Sequence, residues 1–279
     1  MSSQITPETT PETTSPASPQ PGAQATASAP PDSRPRQDRG AGSGHPVLEA
    51  IRGGLIASAQ AYPGEPMRDP RTMDQVAQAC VRGGAVAIRA QGLADLELIN
   101  QHVEVPVIGL WKDGHEGVFI TPTLKHAVAV AATGCQIVAL DGTRRERPDG
   151  LSLARTIEGL REAFPQILVM ADCGCLEDAR CAQDAGADLL GTTLAGYTGQ
   201  RPATQGPDLE LVDQIAAACQ RPLIVEGRVH TPDQAAAAME RGAWAVVVGT
   251  AITHPTTITS WFVEAVSGAQ PAHRSAVGG

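Results

Sequence analysis

Four times along the chain a helical stretch meets a glycine and an apolar run begins within a few residues: "CVRGGAVAI", "AATGCQIVAL", "AQDAGADLL" and "MERGAWAVVV". Glycine suits the left-handed position just past a helix end, so Gly83, Gly134, Gly186 and Gly242 read as helix stops that hand the chain to a strand. The alternation extends to eight strand candidates: "GLIASAQ" (54–60), "AVAIRA" (85–90), "PVIGLWK" (106–112), "IVALD" (137–141), "ILVMAD" (167–172), "DLLGTTL" (188–194), "PLIVEG" (222–227) and "WAVVVGT" (244–250). These runs are short and nearly continuous in apolar residues, the pattern of strands buried on both faces of a parallel sheet. Eight strand-helix units predict an α/β fold, a (β/α)8 TIM barrel, with a doubly wound open sheet as the alternative. No G-x-G-x-x-G follows the first strand, which weighs against a dinucleotide-binding open sheet.

The repeat begins near residue 46. Residues 1–45 are rich in Ser, Thr and Pro and nearly devoid of large apolar side chains, so they have too little surface to bury against the entropy of ordering. The expected organisation is a disordered tail over 1–45, a barrel over 46–268 and a flexible tail over 269–279. No apolar h-region follows Met1 and no run reaches the roughly 18 apolar residues of a membrane span, so a cytoplasmic protein without membrane association is expected. A net charge of −9 argues against a general nucleic-acid binder. The six cysteines are scattered, as in a reducing compartment, and "DCGC" at 172–175 lacks the paired spacing of a zinc site, so no metal is expected.

In such a barrel the C-terminal strand ends face the active site. Here they supply Gln60, Arg89, Lys112, Asp141, Asp172, Thr192, Thr193, Glu226, Gly249 and Thr250. Lys112 stands out because, of 21 basic side chains, only Lys112 and Lys125 are lysines. A lysine can give up its proton where an arginine cannot. Burial or a nearby cation such as Arg89 is what would bring its pKa down to a working range. The glycines of "EGRVHTP" and "VGTAITHP" close strands seven and eight, a frequent phosphate-binding position in barrels. Gly227, Arg228, Gly249, Thr250 and His254 are therefore the candidate phosphate-binding residues. The loop at 196–208, "GYTGQRPATQGPD", reads either as a closing flap or as a plain surface connection.

"GGLIASAQA", "GGAVAIRA", "PVIGLWK", "ALDGTRRERPDG", "LVMADC", "GTTLAGYT", "VEGRVHTP" and "VVVGTAITHP", in that order from about Gly53 to Val266, resemble the N-acetylmannosamine-6-phosphate 2-epimerase family, NanE. The resemblance implies a ribulose-phosphate-binding type of barrel. It also implies cofactor-free interconversion of N-acetylmannosamine 6-phosphate and N-acetylglucosamine 6-phosphate, in sialic acid and amino-sugar breakdown. By position, the family's catalytic lysine falls on Lys112 and its catalytic glutamate on Glu226. Its substrate contacts fall on Gln60, Arg89 and Asp172, and Thr193 is taken with them as substrate-binding. His254 stands where the family usually carries arginine. A small phosphorylated amino sugar is the expected partner, and a homodimer is plausible for a compact cytosolic barrel. Two other readings stay open from the residues alone: a Schiff-base aldolase using Lys112, and a sugar-phosphate-binding barrel without activity.

Overall fold

The computed structural model describes residues 44–268. Eight parallel strands, β1 Leu55–Ala59, β2 Ala87–Gln91, β3 Val107–Leu110, β4 Ile137–Asp141, β5 Leu168–Asp172, β6 Leu189–Gly191, β7 Leu223–Val225 and β8 Ala245–Val248, follow one another around a closed ring. β1 pairs with β8, for instance Ile56 with Val247, so the ring closes and the open-sheet alternative falls. Helices intervene in order: α1 Pro46–Ile51, α2 Pro70–Arg82, α3 Leu93–His102, α4 Leu124–Ala132, α5 Leu153–Ala163, α6 Leu176–Asp184, α7 Leu209–Ala218, α8 Pro232–Glu240, α9 Thr250–Thr253 and α10 Pro255–Gly268. The tails expected over 1–45 and 269–279 lie outside the described residues, except Gly44 and His45, and the His45 side chain caps the first turn of α1.

The helix starts are chemically ordinary. Asp69, Thr123, Ser152, Asp208 and Thr231 each accept a backbone N–H from the first turn of the helix they precede. Three of the four expected glycine stops hold, with positive φ at Gly134, Gly186 and Gly242. At the fourth, Gly83 keeps φ −76 and the left-handed residue is its neighbour Gly84, φ +98. In a Gly-Gly pair either residue can take the turn, so the sequence does not distinguish them.

Alternation along each strand divides the core into two layers. Ile56, Ala87, Ile108, Leu110, Ile137, Ala139, Leu168, Met170, Leu189, Ile224, Ala245 and Val247 fill the barrel interior, while their sequence neighbours pack outward against the helices. Each fully buried Val, Leu, Ile or Met side chain stabilises the fold by about 1.5–3 kcal/mol. α1, which the alternation did not predict, belongs to the inner cluster through Leu48 and Ile51, and Trp244 Nε1 donates to Leu48 O at 2.9 Å. α10 differs from the others: it has no buried residue, and Phe262, Val263 and Val266 are exposed. Among the described residues no helix is long and apolar enough to cross a membrane.

Candidate active site

Inward parity continues past the last apolar residue of most strands. Counting by twos, Ile56 leads to Ser58 and Gln60, Ala87 to Arg89, Leu110 to Lys112, Met170 to Asp172, Leu189 to Thr193, Ile224 to Glu226, and Val247 to Gly249. Most of the polar residues expected at strand ends thus share the interior-facing parity of the apolar layers beneath them, while Thr192 and Thr250 take the other parity. Arg89 departs from the expectation in one respect. β2 runs on to Gln91, so Arg89 lies within the strand and is buried at 1% exposure.

A guanidinium sealed inside the barrel needs counter-charges, and two are present. Arg89 Nη2 donates to Asp172 Oδ2 at 2.6 Å, and its Nε lies 3.1 Å from Glu226 Oε2. Nη1 meets the Met170 sulfur at 3.4 Å. Thr193 Oγ1 is 2.7 Å from Asp172 Oδ1 and 3.2 Å from Glu226 Oε2, so one hydroxyl spans both carboxylates. Thr192, of the opposite parity, fixes the backbone instead: its Oγ1 donates to Glu226 O at 2.8 Å and accepts from Glu226 N at 3.0 Å. Burial, with the Asp172 charge nearby, pushes the Glu226 carboxyl up from its ordinary value against the pull of Arg89 and Lys112.

Lys112 sits just past β3, on an isolated antiparallel bridge to Ile120. That bridge is locked by Thr121, whose N–H donates to Trp111 O at 2.7 Å and whose hydroxyl donates to Ala139 O at 2.7 Å. Burial, followed by the Arg89 charge, lowers the Lys112 pKa to about 8, although Glu226 and Asp172 oppose the shift. At pH 7 roughly one molecule in ten then carries a neutral amine, against fewer than one in a thousand for an ordinary lysine. Gln60 is buried, donates through Nε2 to Ser58 Oγ at 2.9 Å, and has no partner for Oε1 among the described residues.

The residues after β7 and β8 form a second region. Gly227 and Arg228 take positive φ in succession, +106 and +56, turning the chain sharply beyond Glu226. For arginine that conformation is strained. Its side chain is tied to the preceding loop: Nη1 donates to Ala195 O at 3.0 Å, Nε to Gly206 O at 3.2 Å and Nη2 to Thr204 Oγ1 at 3.1 Å. The guanidinium therefore braces the 196–208 loop, which Arg201 also pins through Asp208 at 2.7 Å. Gly249 precedes the short α9, whose first N–H groups have no intrahelical acceptor, and Thr253 Oγ1 ties α9 to Ser58 O at 2.7 Å. His254 is buried, and its Nδ1 lies 3.7 Å from Glu65 Oε1 without a hydrogen bond.

The Arg-Arg-x-Arg run of the sequence has structural partners. Arg144 Nε meets Asp178 at 3.1 Å, Arg145 meets Asp141 at 2.6 Å, and Arg147 donates to the carbonyls of Asp141 and Pro122. In "DCGC", the Cys173 thiol donates to Ala171 O and the Cys175 thiol to the Gln200 side chain. Tyr62 and Glu65 were not singled out from the sequence. The available signal is the Pro63-Gly64 pair shortly after the first strand, which marks a turn.

Three comparisons agree with one another. The family model NanE, described as "Putative N-acetylmannosamine-6-phosphate epimerase", matches residues 73–268. A Cutibacterium acnes protein named "Putative N-acetylmannosamine-6-phosphate 2-epimerase" is 59% identical over 222 residues, 79% of this chain and 96% of that protein. A protein of the same name from Caldanaerobacter subterraneus subsp. tengcongensis is 45% identical over 219 residues, covering 78% and 92%. The solved N-acetylmannosamine-6-phosphate 2-epimerase from Clostridium perfringens superposes with a TM-score of 0.76 at 36% identity, covering 79% of this chain and 96% of that one.

Proposed function

The chain belongs to the N-acetylmannosamine-6-phosphate epimerase family, NanE, and from that premise we propose how its barrel mouth works as an isomerase: Lys112 and Glu226 exchange a proton with C2 of the substrate from opposite sides. The reaction interconverts N-acetylmannosamine 6-phosphate and N-acetylglucosamine 6-phosphate in amino-sugar catabolism. In the open-chain sugar the C1 carbonyl acidifies C2–H. One residue takes that proton, the C–H electron pair flows into the carbonyl to give an enolate, and the other residue returns a proton to the opposite face of C2. Such general acid-base help is worth about 10²- to 10⁴-fold per group.

One observation carries the assignment. Lys112 and Glu226 extend from β3 and β7, four strands apart in a ring of eight, with a lowered lysine and a raised carboxyl flanking the same Arg89–Asp172 pair. These opposite shifts bring an amine and a carboxyl toward each other in pKa, which makes proton exchange in both directions accessible near neutral pH. Arg89 supplies positive charge for the enolate oxygen. The unpartnered Gln60 Oε1 suits the N–H of the acetamido group, and Asp172 and Thr193 suit sugar hydroxyls. The phosphate anchors at the backbone of Gly227, Arg228, Gly249 and Thr250 with His254 beside it, holding C2 in place.

The bare apolar face of α10 supports a homodimer, in which a second copy covers Phe262, Val263 and Val266. The reducing-type cysteines and the amino-sugar substrate support a cytoplasmic location. The catalytic assignment is tested by incubating the protein with N-acetylmannosamine 6-phosphate in deuterated water and following C2 by proton NMR, beside Lys112→Ala and Glu226→Ala. Epimer carrying deuterium at C2, absent in both variants, is expected. Turnover retained in either variant would remove that residue from the mechanism.

A further inference from the structure

The chain leaves β1 through a turn that is closed twice. Glu65 N donates to Tyr62 O at 3.1 Å across Pro63 and Gly64, the latter at φ +87, which is the pattern of a type II turn. The Glu65 carboxylate then accepts from Tyr62 N at 3.0 Å. The Tyr62 backbone is thus fixed through both its N–H and its carbonyl, although its side chain is half exposed. Its ring faces the Lys112 ammonium at 5.3 Å and makes an edge contact with the His254 ring at 4.9 Å. The ring therefore connects the proton-transfer end of the site to the α9 end, and it is half exposed while Lys112 is less so.

We infer that Tyr62 is a positioning residue whose ring forms the outer wall of the site, screening the Lys112 ammonium from bulk water and bracing His254. Two opposing effects of the ring on Lys112 must be compared. Its π face attracts an ammonium by about 0.5–1 kcal/mol, which favours the charged form by less than about one pK unit. Exclusion of water favours the neutral amine, by up to about 3–5 units for a fully buried group. Lys112 is lowered to about 8, with burial the largest cause, so exclusion outweighs attraction. The other charges that reach Lys112 are Arg89 on β2 and Arg68 beyond the turn, which favour the neutral amine, and Glu226 and Asp172 on the far wall, which favour the ammonium. Arg68 is itself paired with Asp95, 3.6 Å away. Opening the Tyr62 wall leaves all four charges where they are; it admits water and removes the weaker π attraction, so the net effect favours the ammonium.

The catalytic meaning of this role rests on the epimerase reading of the site, whereas the screening is a property of the free protein. Because the chain has only two lysines, protein labelled with 13C at lysine Cε gives two signals to titrate by NMR, with Lys125 as the internal reference. In Tyr62→Ala the Lys112 midpoint is expected to rise by about one unit, while Lys125 is unmoved and Tyr62→Phe titrates like the parent. An unchanged Lys112 midpoint in Tyr62→Ala overturns the inference. So does a Tyr62→Phe shift as large as that of the alanine variant, because the hydroxyl would then be responsible. If the titration behaves as expected but the parent does not epimerise the sugar, the epimerase reading fails and the screening stands. If the parent epimerises and Lys112 does not move, the reverse holds.

Discussion

Arg89 Nη2 on β2 donates to Asp172 Oδ2 on β5 at 2.6 Å, with the two side chains 1% and 0% exposed. This pair is the electrostatic floor of the site. Its guanidinium also meets Glu226, yet burial and the nearby Asp172 charge outweigh the pull of Arg89 and Lys112 and leave Glu226 easier to protonate than an exposed glutamate. Removing one partner of a buried pair strands the other, at a cost of about 3–5 kcal/mol. Arg89→Met is expected to destabilise the fold by that amount, read as a lower urea midpoint, and to abolish turnover. The deficit narrows as pH falls. Without Arg89 two carboxylates face each other with no cation in direct contact, and protonating one of them at low pH relieves that repulsion.

The pH profile of turnover follows from the proton count on Lys112 and Glu226. In either direction one member must give a proton and the other accept one, so the working enzyme carries a single proton on the pair. At low pH both are protonated, and at high pH neither is. A bell-shaped kcat/KM is expected in both directions. Its alkaline limb lies near the Lys112 value of about 8, and its acid limb lies above the usual glutamate range because burial raises Glu226. An alkaline limb in the ordinary lysine range would show Lys112 to be unperturbed.

Much of this arrangement is legible in the sequence, for reasons that differ from residue to residue. Strand order follows from helix-glycine-strand punctuation because each unit is local, and only the Gly83-Gly84 choice goes astray. Lys112 is conspicuous because arginine is the default cation of this chain, and Glu226 because a carboxylate directly follows a buried strand. Arg89 is legible as a residue but not as a buried one, since β2 runs two residues beyond it, to Gln91. The side chain of Arg228 looks free in sequence and is bound to loop carbonyls in space. Contacts such as Tyr62 with His254, or α1 with Trp244, join distant parts of the chain and leave no periodic trace.

Lys112 is retained at a cost in stability. Its folded-state pKa of about 8 lies below the ordinary 10.5, so the unfolded chain binds the extra proton between those values. Stability therefore rises with pH through that window, and below about 8 the penalty is present in full. Lys112→Met removes the ammonium and keeps an apolar stem of similar reach. Allowing for partial solvent screening, the variant is expected to gain about 1–3 kcal/mol at neutral pH while losing activity. Urea titrations of parent and variant should converge above the ordinary lysine range, and a gain that persists there would point to packing instead of charge.

His254 tests the other end of the site. The ring is buried, touches Tyr62 and leaves Nδ1 without a hydrogen bond, 3.7 Å from Glu65. A buried nitrogen without a partner costs free energy unless a ligand or water completes it. If the phosphate does so, the contact exists equally in the bound sugar and in the transition state, because the phosphate is remote from C2. Its loss then removes uniform binding. His254→Ala is expected to raise KM for N-acetylmannosamine 6-phosphate by about 5- to 20-fold, with kcat changed by less than about threefold. With unphosphorylated N-acetylmannosamine, parent and variant should not differ. A fall in kcat with KM unchanged would instead move His254 from phosphate anchoring to support of Tyr62 over Lys112.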